Sequence, residues 1–373
     1  MVVFVCAGCD AELTAPLSQV ALPVHARQSY GNGIQLPVLM DPGTFAVDPE
    51  PWGPPWRPWA EVPPEEAAAR GLHAPVHRVS DGPPGAIVIA PGDARGTVLV
   101  PENRGSGNCC GLDGGGGPNT ACAECGLPVA TRIDDCSLWQ ATWFDPDAVR
   151  RLPVDGDGIA SRPWEELMAE GGGTPPFEPV TTWGERQRAG HWSNHHWSWS
   201  PQWEAAAGRA LAHLLAASEG RPVTVPDGLP GEMFQRALDA LLPAGPRPRR
   251  AVLAGPGRPA PEKDADIALV PVHPQTGRAW TPADLATYPV PLPFGVWLWL
   301  VSPERDLPLP ASGGLPHGVL RDDFDPPAPH PLHLFRADGR VLGHTLARLP
   351  GVRSPWLRAV FDSLMRSEHV GLF

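Results

Sequence analysis

Two Cys-x-x-Cys pairs, Cys6-Ala-Gly-Cys9 and Cys122-Ala-Glu-Cys125, constrain this chain more than any other feature. Two residues between thiols let one tight turn present both sulfurs to a single metal ion. Two such turns complete a tetrahedral four-sulfur site, which suits zinc and leaves no open position for a substrate. The expected ligands are Cys6, Cys9, Cys122 and Cys125, and the expected Zn2+ is structural.

Glycine at 126, directly after the second pair, frees the backbone to fold around a sulfur with unusual dihedrals. The turn Cys122-Ala-Glu-Cys125-Gly126 resembles a zinc knuckle of the rubredoxin or zinc-ribbon kind. Cys6-Ala-Gly-Cys9, just after the apolar run Val2 to Val5, resembles its partner knuckle. The resemblance covers these turns and their flanking strands alone, and it implies that two hairpin tips share one zinc. One departure matters: 112 residues separate Cys9 from Cys122, whereas ordinary fingers place the pairs much closer. A large insertion inside the ribbon is therefore expected.

Seven cysteines, an odd number clustered in two stretches, point to metal ligation rather than a disulfide framework. Cys109 and Cys110 lie a short glycine-rich loop before Cys122. Either can replace an N-terminal ligand, so a second ligand set is one of them with Cys122, Cys125 and Cys136. Adjacent cysteines rarely share one ion because successive side chains diverge. Cys136, beside Leu138 and Trp139, also reads as a buried core thiol. A nucleophilic Cys109 or Cys110 needs a base and a depressed pKa, and neither is visible in sequence.

His191-Trp-Ser-Asn-His195-His196-Trp-Ser-Trp199 is the second unusual stretch. Its Trp and Ser content reads as a loop. Without a carboxylate at motif spacing, His191, His195 and His196 are not a metalloprotease signature. They mark a candidate pocket, with Asp134 or Asp135 as further polar groups. Asp155-Gly-Asp157-Gly158 lacks the later ligands of a calcium loop. Gly114 to Gly117 has no following Gly-Lys-Ser/Thr, and no Gly-x-Ser-x-Gly elbow occurs.

At 373 residues the chain exceeds the usual single-core size. Pro (50) and Gly (41) approach a quarter of it, which predicts long stiff connections, while 15 Trp and 10 Phe argue for folded cores. The expected class is α/β or α+β: a β-rich zinc-binding domain over residues 1–160, a loop and boundary region over 161–200, and a mixed α/β domain over 201–373. Expected strands are Val2 to Val5, with Leu13 to Val24 returning beside it, Ala86 to Ala90, Thr97 to Val100 and Leu138 to Phe144. Val223 to Val225, Ala251 to Ala254, Ile267 to Val272, Phe294 to Val301 and Leu332 to Phe335 follow. Expected helices are Glu65 to Gly71, Pro201 to Glu219, Gly231 to Leu242 and Ser354 to Ser367. The Trp-and-Pro segment Gly43 to Pro64 reads as an extended strap.

The N-terminus lacks a basic export region, and no apolar run reaches membrane-spanning length, so a cytoplasmic protein is expected. A net charge of −12 disfavours nucleic acid, because phosphate contacts need a basic surface. The leading expectation is a zinc-stabilised binding or interaction protein with a protein or small-molecule partner. An enzyme with a pocket between the halves, built on the His191 to His196 loop, is the alternative. Zinc-ribbon binding of nucleic acid is the third.

Overall fold

The structure is a computed structural model that describes residues 1–29, 36–103, 111–136, 138–154, 161–179, 197–245, 247–259, 264–281, 287–302, 331 and 333–366. It divides into unit 1, Met1–Pro163 with Pro274–Gly277, and unit 2, Trp164–His273 with Arg278–Phe373. The fold is mixed α/β, rich in strands in the N-terminal half and in helices in the C-terminal half.

Unit 1 opens with strand β1 (Val2–Cys6), five buried residues in a row. Such a run needs cover on both faces and partners on both edges. The chain returns along one edge, through the bridges Val5↔Glu12 and Val2↔Leu17, which is the return expected of Leu13 to Val24. The far end of the unit supplies the other edge, where β11 (Val149–Pro153) pairs antiparallel from Val2↔Pro153 to Cys6↔Val149.

A seven-stranded sheet forms the rest of the core. Its strands are β2 (Ser18–Gln19), β3 (Thr44–Asp48), β6 (Ala86–Ile89), β7 (Thr97–Leu99), β8 (Thr120–Cys122), β9 (Pro128–Ile133) and β10 (Ala141–Phe144), in the order β2-β3-β6-β10-β9-β8-β7. Only the β2–β3 pair is parallel. Alternation sends side chains to two faces. Phe45, Ile87, Ile89 and Phe144 join Phe4, Leu13 and Leu17 on one side. Ala46, Val88 and Ala141 join Leu36, Met40 and Trp139 on the other. The expected strands at Ala86 and Thr97 both form, but three strands separate them in the sheet. β3, within the segment read as a strap, is also regular structure. Beyond it, strand β4 (Trp56–Pro58) pairs with β5 (Arg78–Ser80), and helix α1 (Pro64–Ala69) covers them.

In unit 2, part of the region 161–200 is regular. Helix α2 spans Trp164–Glu170, and β12 (Phe177–Pro179) pairs with β13 (Trp197–Trp199). Helix α3 (Pro201–Ser218) has a buried face formed by Trp203, Ala206, Ala207, Ala210, Leu211, Leu214 and Leu215, the periodicity read from sequence. Strands β14 (Val223–Thr224), β15 (Arg249–Leu253), β16 (Ile267–Val272) and β17 (Tyr288–Pro293) form a parallel sheet in that order. The π-turn Gly231–Gln235 and helix α4 (Arg236–Leu241) lie between β14 and β15. Helices α6 (Gly339–Arg348) and α7 (Pro355–Met365) follow helix α5 (Phe294–Val301).

Helix α5 corrects the expected strand Phe294 to Val301. Phe294, Val296, Trp297, Leu298 and Trp299 are all buried. A helix buried on every side shows no 3.6-residue stripe, so its periodicity cannot be told from that of a buried strand. The strand lies just before it, in Tyr288-Pro-Val-Pro-Leu-Pro293, where three prolines disguise it. The Tyr288 N–H donates to Asp266 O in the β16 direction, so the N–H positions of 289, 291 and 293 point to the opposite edge. Among the described residues that edge carries no strand, which is where proline is tolerated. The expected strand Leu332 to Phe335 is not one: His333 to Phe335 are irregular, and Leu332 lies outside the described residues.

Candidate metal centre

Each knuckle is built the same way. In the first, the N–H of Asp10 donates to the carbonyl of Cys6, and the N–H of Cys6 donates to the carbonyl of Ala11. In the second, Gly126 donates to Cys122 and Cys122 donates to Leu127. The residue after each second cysteine is left-handed, with φ 64° at Asp10 and 76° at Gly126. Glycine takes that conformation freely, and aspartate is among the few side chains that tolerate it. Asp10 also pairs with Arg150. Two turns separated by 112 residues of sequence thus share one hydrogen-bond pattern.

Part of the insertion between the knuckles bonds to both of them. Segment Asp93–Thr97 runs between the two hairpins and bonds to both. On one side, Ala15 N–H donates to Asp93 O, Arg95 N–H donates to Leu13 O, and Thr14 bridges Ala94. On the other, Ala123 N–H donates to Gly96 O, and Thr97 pairs with Cys122. Gly96 has φ 55°, and a Cβ built on it would lie 2.5 Å from the carbonyl oxygen of Glu12. Sequence reading missed this residue. Its only local signal was a glycine entering an expected strand.

The four Sγ atoms of Cys6, Cys9, Cys122 and Cys125 lie within 4.8 Å of one another. Cys6 Sγ is 3.6 Å from Cys125 Sγ, and Cys9 Sγ is 3.6 Å from Cys122 Sγ. A disulfide needs about 2.05 Å. A tetrahedron with metal–sulfur bonds of about 2.3 Å has sulfur–sulfur edges of about 3.8 Å, so the spacing fits a four-coordinate ion. Cys6 and Cys122 are buried in the cluster that contains Phe4, Leu13, Val129 and Phe144, whereas Cys9 and Cys125 are exposed.

The neighbouring sulfurs act in opposite directions on Cys122 and Cys9. Burial opposes ionisation of Cys122, but the N–H groups of Cys125 and Glu124, together with the thiols of Cys9 and Cys6, bring it down to about 7. For Cys9 the N–H of Ala11 favours the thiolate. Desolvation and the sulfurs of Cys125, Cys122 and Cys6 outweigh it and push the thiol up to about 12. The neighbouring sulfurs thus favour a thiolate at Cys122 and oppose one at Cys9, an opposition that a divalent ion removes.

The other candidate residues fall elsewhere. Cys136 is buried and outside the four-sulfur group. Strand β9 lies between the second knuckle and Cys136 in the chain. Cys109, Cys110, His191, His195 and His196 lie outside the described residues. Asp135 is buried, with Oδ1 accepting the Cys136 N–H, and Asp134 faces Arg132 at 3.5 Å. Both serve the end of β9. No helix among the described residues is long and apolar enough to cross a membrane.

Comparison of the chain with protein-family models, curated proteins and solved structures found no match. The cysteine cluster, consistent with a zinc-binding knuckle pair, is thus the observation on which function rests.

Proposed function

We propose that Cys6, Cys9, Cys122 and Cys125 hold one zinc ion that clamps the two hairpins of unit 1, and that the protein serves binding rather than catalysis. The observation that carries this reading is the convergence of four sulfurs, from two turns of matching construction, at tetrahedral spacing. The thiolates prefer a soft or borderline ion, and four of them fill its coordination shell, so the ion polarises no substrate. Its contribution is to stability: metal binding energy becomes folding energy where the site is assembled only by folding. The partner in this reading is a protein or a small molecule, since a net charge of −12 opposes a phosphate-binding surface.

Elemental analysis of protein purified without added metal or an affinity tag tests the proposal, with one zinc per chain as the expected result. Cys122→Ser should lose the metal and lower the melting temperature sharply. Unchanged zinc content in that variant would sink the assignment.

A further inference from the structure

Between β3 and α1 the chain displays apolar surface that the metal centre does not use. In Pro51-Trp-Gly-Pro-Pro-Trp-Arg-Pro58, residues Trp52, Pro54, Pro55, Trp56 and Pro58 are exposed, Trp52 by 52% and Trp56 by 36%. Clustered apolar surface of this kind marks interaction sites, and here the fold fixes it in place. Ser80 Oγ donates to Gly53 O, and the Asp81 N–H donates to Pro55 O. A Cβ on Gly82 would stand 2.2 Å from Trp52 O, so this segment lies flush on the turn after β5. The guanidinium of Arg27, held by Asp48, lies 3.8 Å from the centre of the Trp52 ring. The Trp52 and Trp56 rings meet edge to face, 5.3 Å apart and at 88°. Two rings at a right angle offer a corner rather than a flat platform.

Backbone and charge limit what fits that corner. Residues 51, 54, 55 and 58 are prolines without an N–H, and the carbonyls of Gly53 and Pro55 are already accepting. A partner gains few backbone hydrogen bonds here, which disfavours an added strand. The run 51–58 holds no hydroxyl or amide side chain, so it leaves the hydroxyls of a stacked sugar unanswered. A polyproline segment has no internal hydrogen bonds, keeps its backbone solvated and is already extended, so it loses least on docking. Arg57 and Arg70 both pair with Glu66 and Asp81, and Arg27 pairs with Asp48. Arg78, opposite Pro58 across the β4–β5 pair, is exposed, with its guanidinium 5.8 Å from the centre of the Trp56 ring. Among the described residues it meets the His77 ring and no carboxylate. The rim of the corner thus carries an uncompensated positive charge on a chain whose net charge is −12.

We propose that the Trp52–Trp56 corner docks a proline-rich segment of a partner protein, with an acidic residue of that segment paired to Arg78. The inference rests on the reading of this chain as a binding protein, and gives that role a surface and a partner class. Proline rings pack on the indole faces, whose negative potential attracts their C–H groups. The carboxylate supplies the charge that Arg78 lacks and fixes the direction in which the segment lies.

The test uses the full chain, its zinc content and melting temperature measured first. Fluorescein-labelled polyproline peptides carrying an aspartate at either end, with arginine and uncharged counterparts, are titrated by fluorescence anisotropy at low ionic strength. The aspartate peptides should bind tightest, by about two- to fivefold, the weight of an exposed ion pair. Arg78→Ala should abolish that preference and Arg78→Glu reverse it toward the arginine peptides, with the melting temperature unchanged in both. Trp56→Ala should weaken every proline peptide about 10–30-fold, as loss of a central aromatic contact does, and Trp56→Phe should recover part of that loss. Absence of binding by any proline peptide to folded, zinc-loaded protein would overturn the proposal. Equal binding of a glycine–serine peptide, or a charge preference indifferent to Arg78, would do the same. A dimer in sedimentation that Trp56→Ala dissolves, or a glucose oligomer bound in place of the peptides, would give the corner another occupant and overturn it too. Protein without zinc would refute the metal reading instead, and the peptide titrations would still judge this surface separately.

Discussion

Gly96 is the position at which one methyl group should disturb the metal centre most without touching a ligand. Its backbone is left-handed, a conformation that costs an alanine about 1–2 kcal/mol. The added Cβ would also stand 2.5 Å from the Glu12 carbonyl oxygen, well inside the roughly 3.3 Å of a normal carbon–oxygen contact. That oxygen belongs to the backbone bridged to Val5, so it cannot rotate aside as a side chain would. Forcing extra volume into such a contact costs about 1–3 kcal/mol. The sum, about 2–5 kcal/mol, should lower the melting temperature of unit 1 by about 4–20 °C at its size. Because Gly96 holds Ala123 on one side and faces Glu12 on the other, the strain separates the hairpins that carry the sulfurs. Metal retention should weaken about 10–100-fold, the range seen when groups supporting metal ligands are altered. Scanning calorimetry and a competition titration against a chromogenic chelator read both quantities. A Gly96→Ala protein within about 0.5 kcal/mol of the parent, with unchanged zinc affinity, would refute the claim that this segment joins the knuckles.

Two further expectations probe the rest of the molecule. His25 lies against Trp139 with ring centroids 4.3 Å apart and planes tilted by 46°, and burial pushes its imidazole down to about 3. The unfolded chain, with its histidine near 6.5, takes up the proton first. His25 therefore contributes stability that is complete above about pH 6.5 and is lost as pH falls from there toward 3, by at most about 1.4 kcal/mol per pH unit and less for a partly exposed ring. Urea unfolding across that window should give a shallower pH slope for His25→Phe, and parallel curves would count against this origin. In unit 2, a Cβ at Gly255 would lie 2.1 Å from Cζ2 of the fully buried Trp297. Gly255→Ala should destabilise unit 2 by about 1–3 kcal/mol and leave zinc stoichiometry intact, and loss of metal in this variant would contradict the separation of the two effects.

Short-range chemistry determined the parts of this protein that a few neighbouring residues can specify. A Cys-x-x-Cys spacing dictates a turn that gathers two sulfurs, and glycine at 126 dictates its left-handed exit. The apolar spacing of Trp203 through Leu215 dictates an amphipathic helix. Asp10 carries the same left-handed geometry as Gly126 but gave a weaker signal, because aspartate fits many other turns as well. The pairing of the two knuckles was legible in composition and motif, though not the means by which 112 residues bring them together. That was decided by tertiary contacts: the bonds of Asp93–Thr97 to both hairpins, and the pairing of β1 with β11. Hydrogen bonds between distant strands leave no periodic trace in either partner's sequence. The same holds for Phe294 to Val301 and the proline-bearing strand before it. Burial on every side erased the helix's stripe, and only the position at a sheet edge made three alternate prolines compatible with a strand.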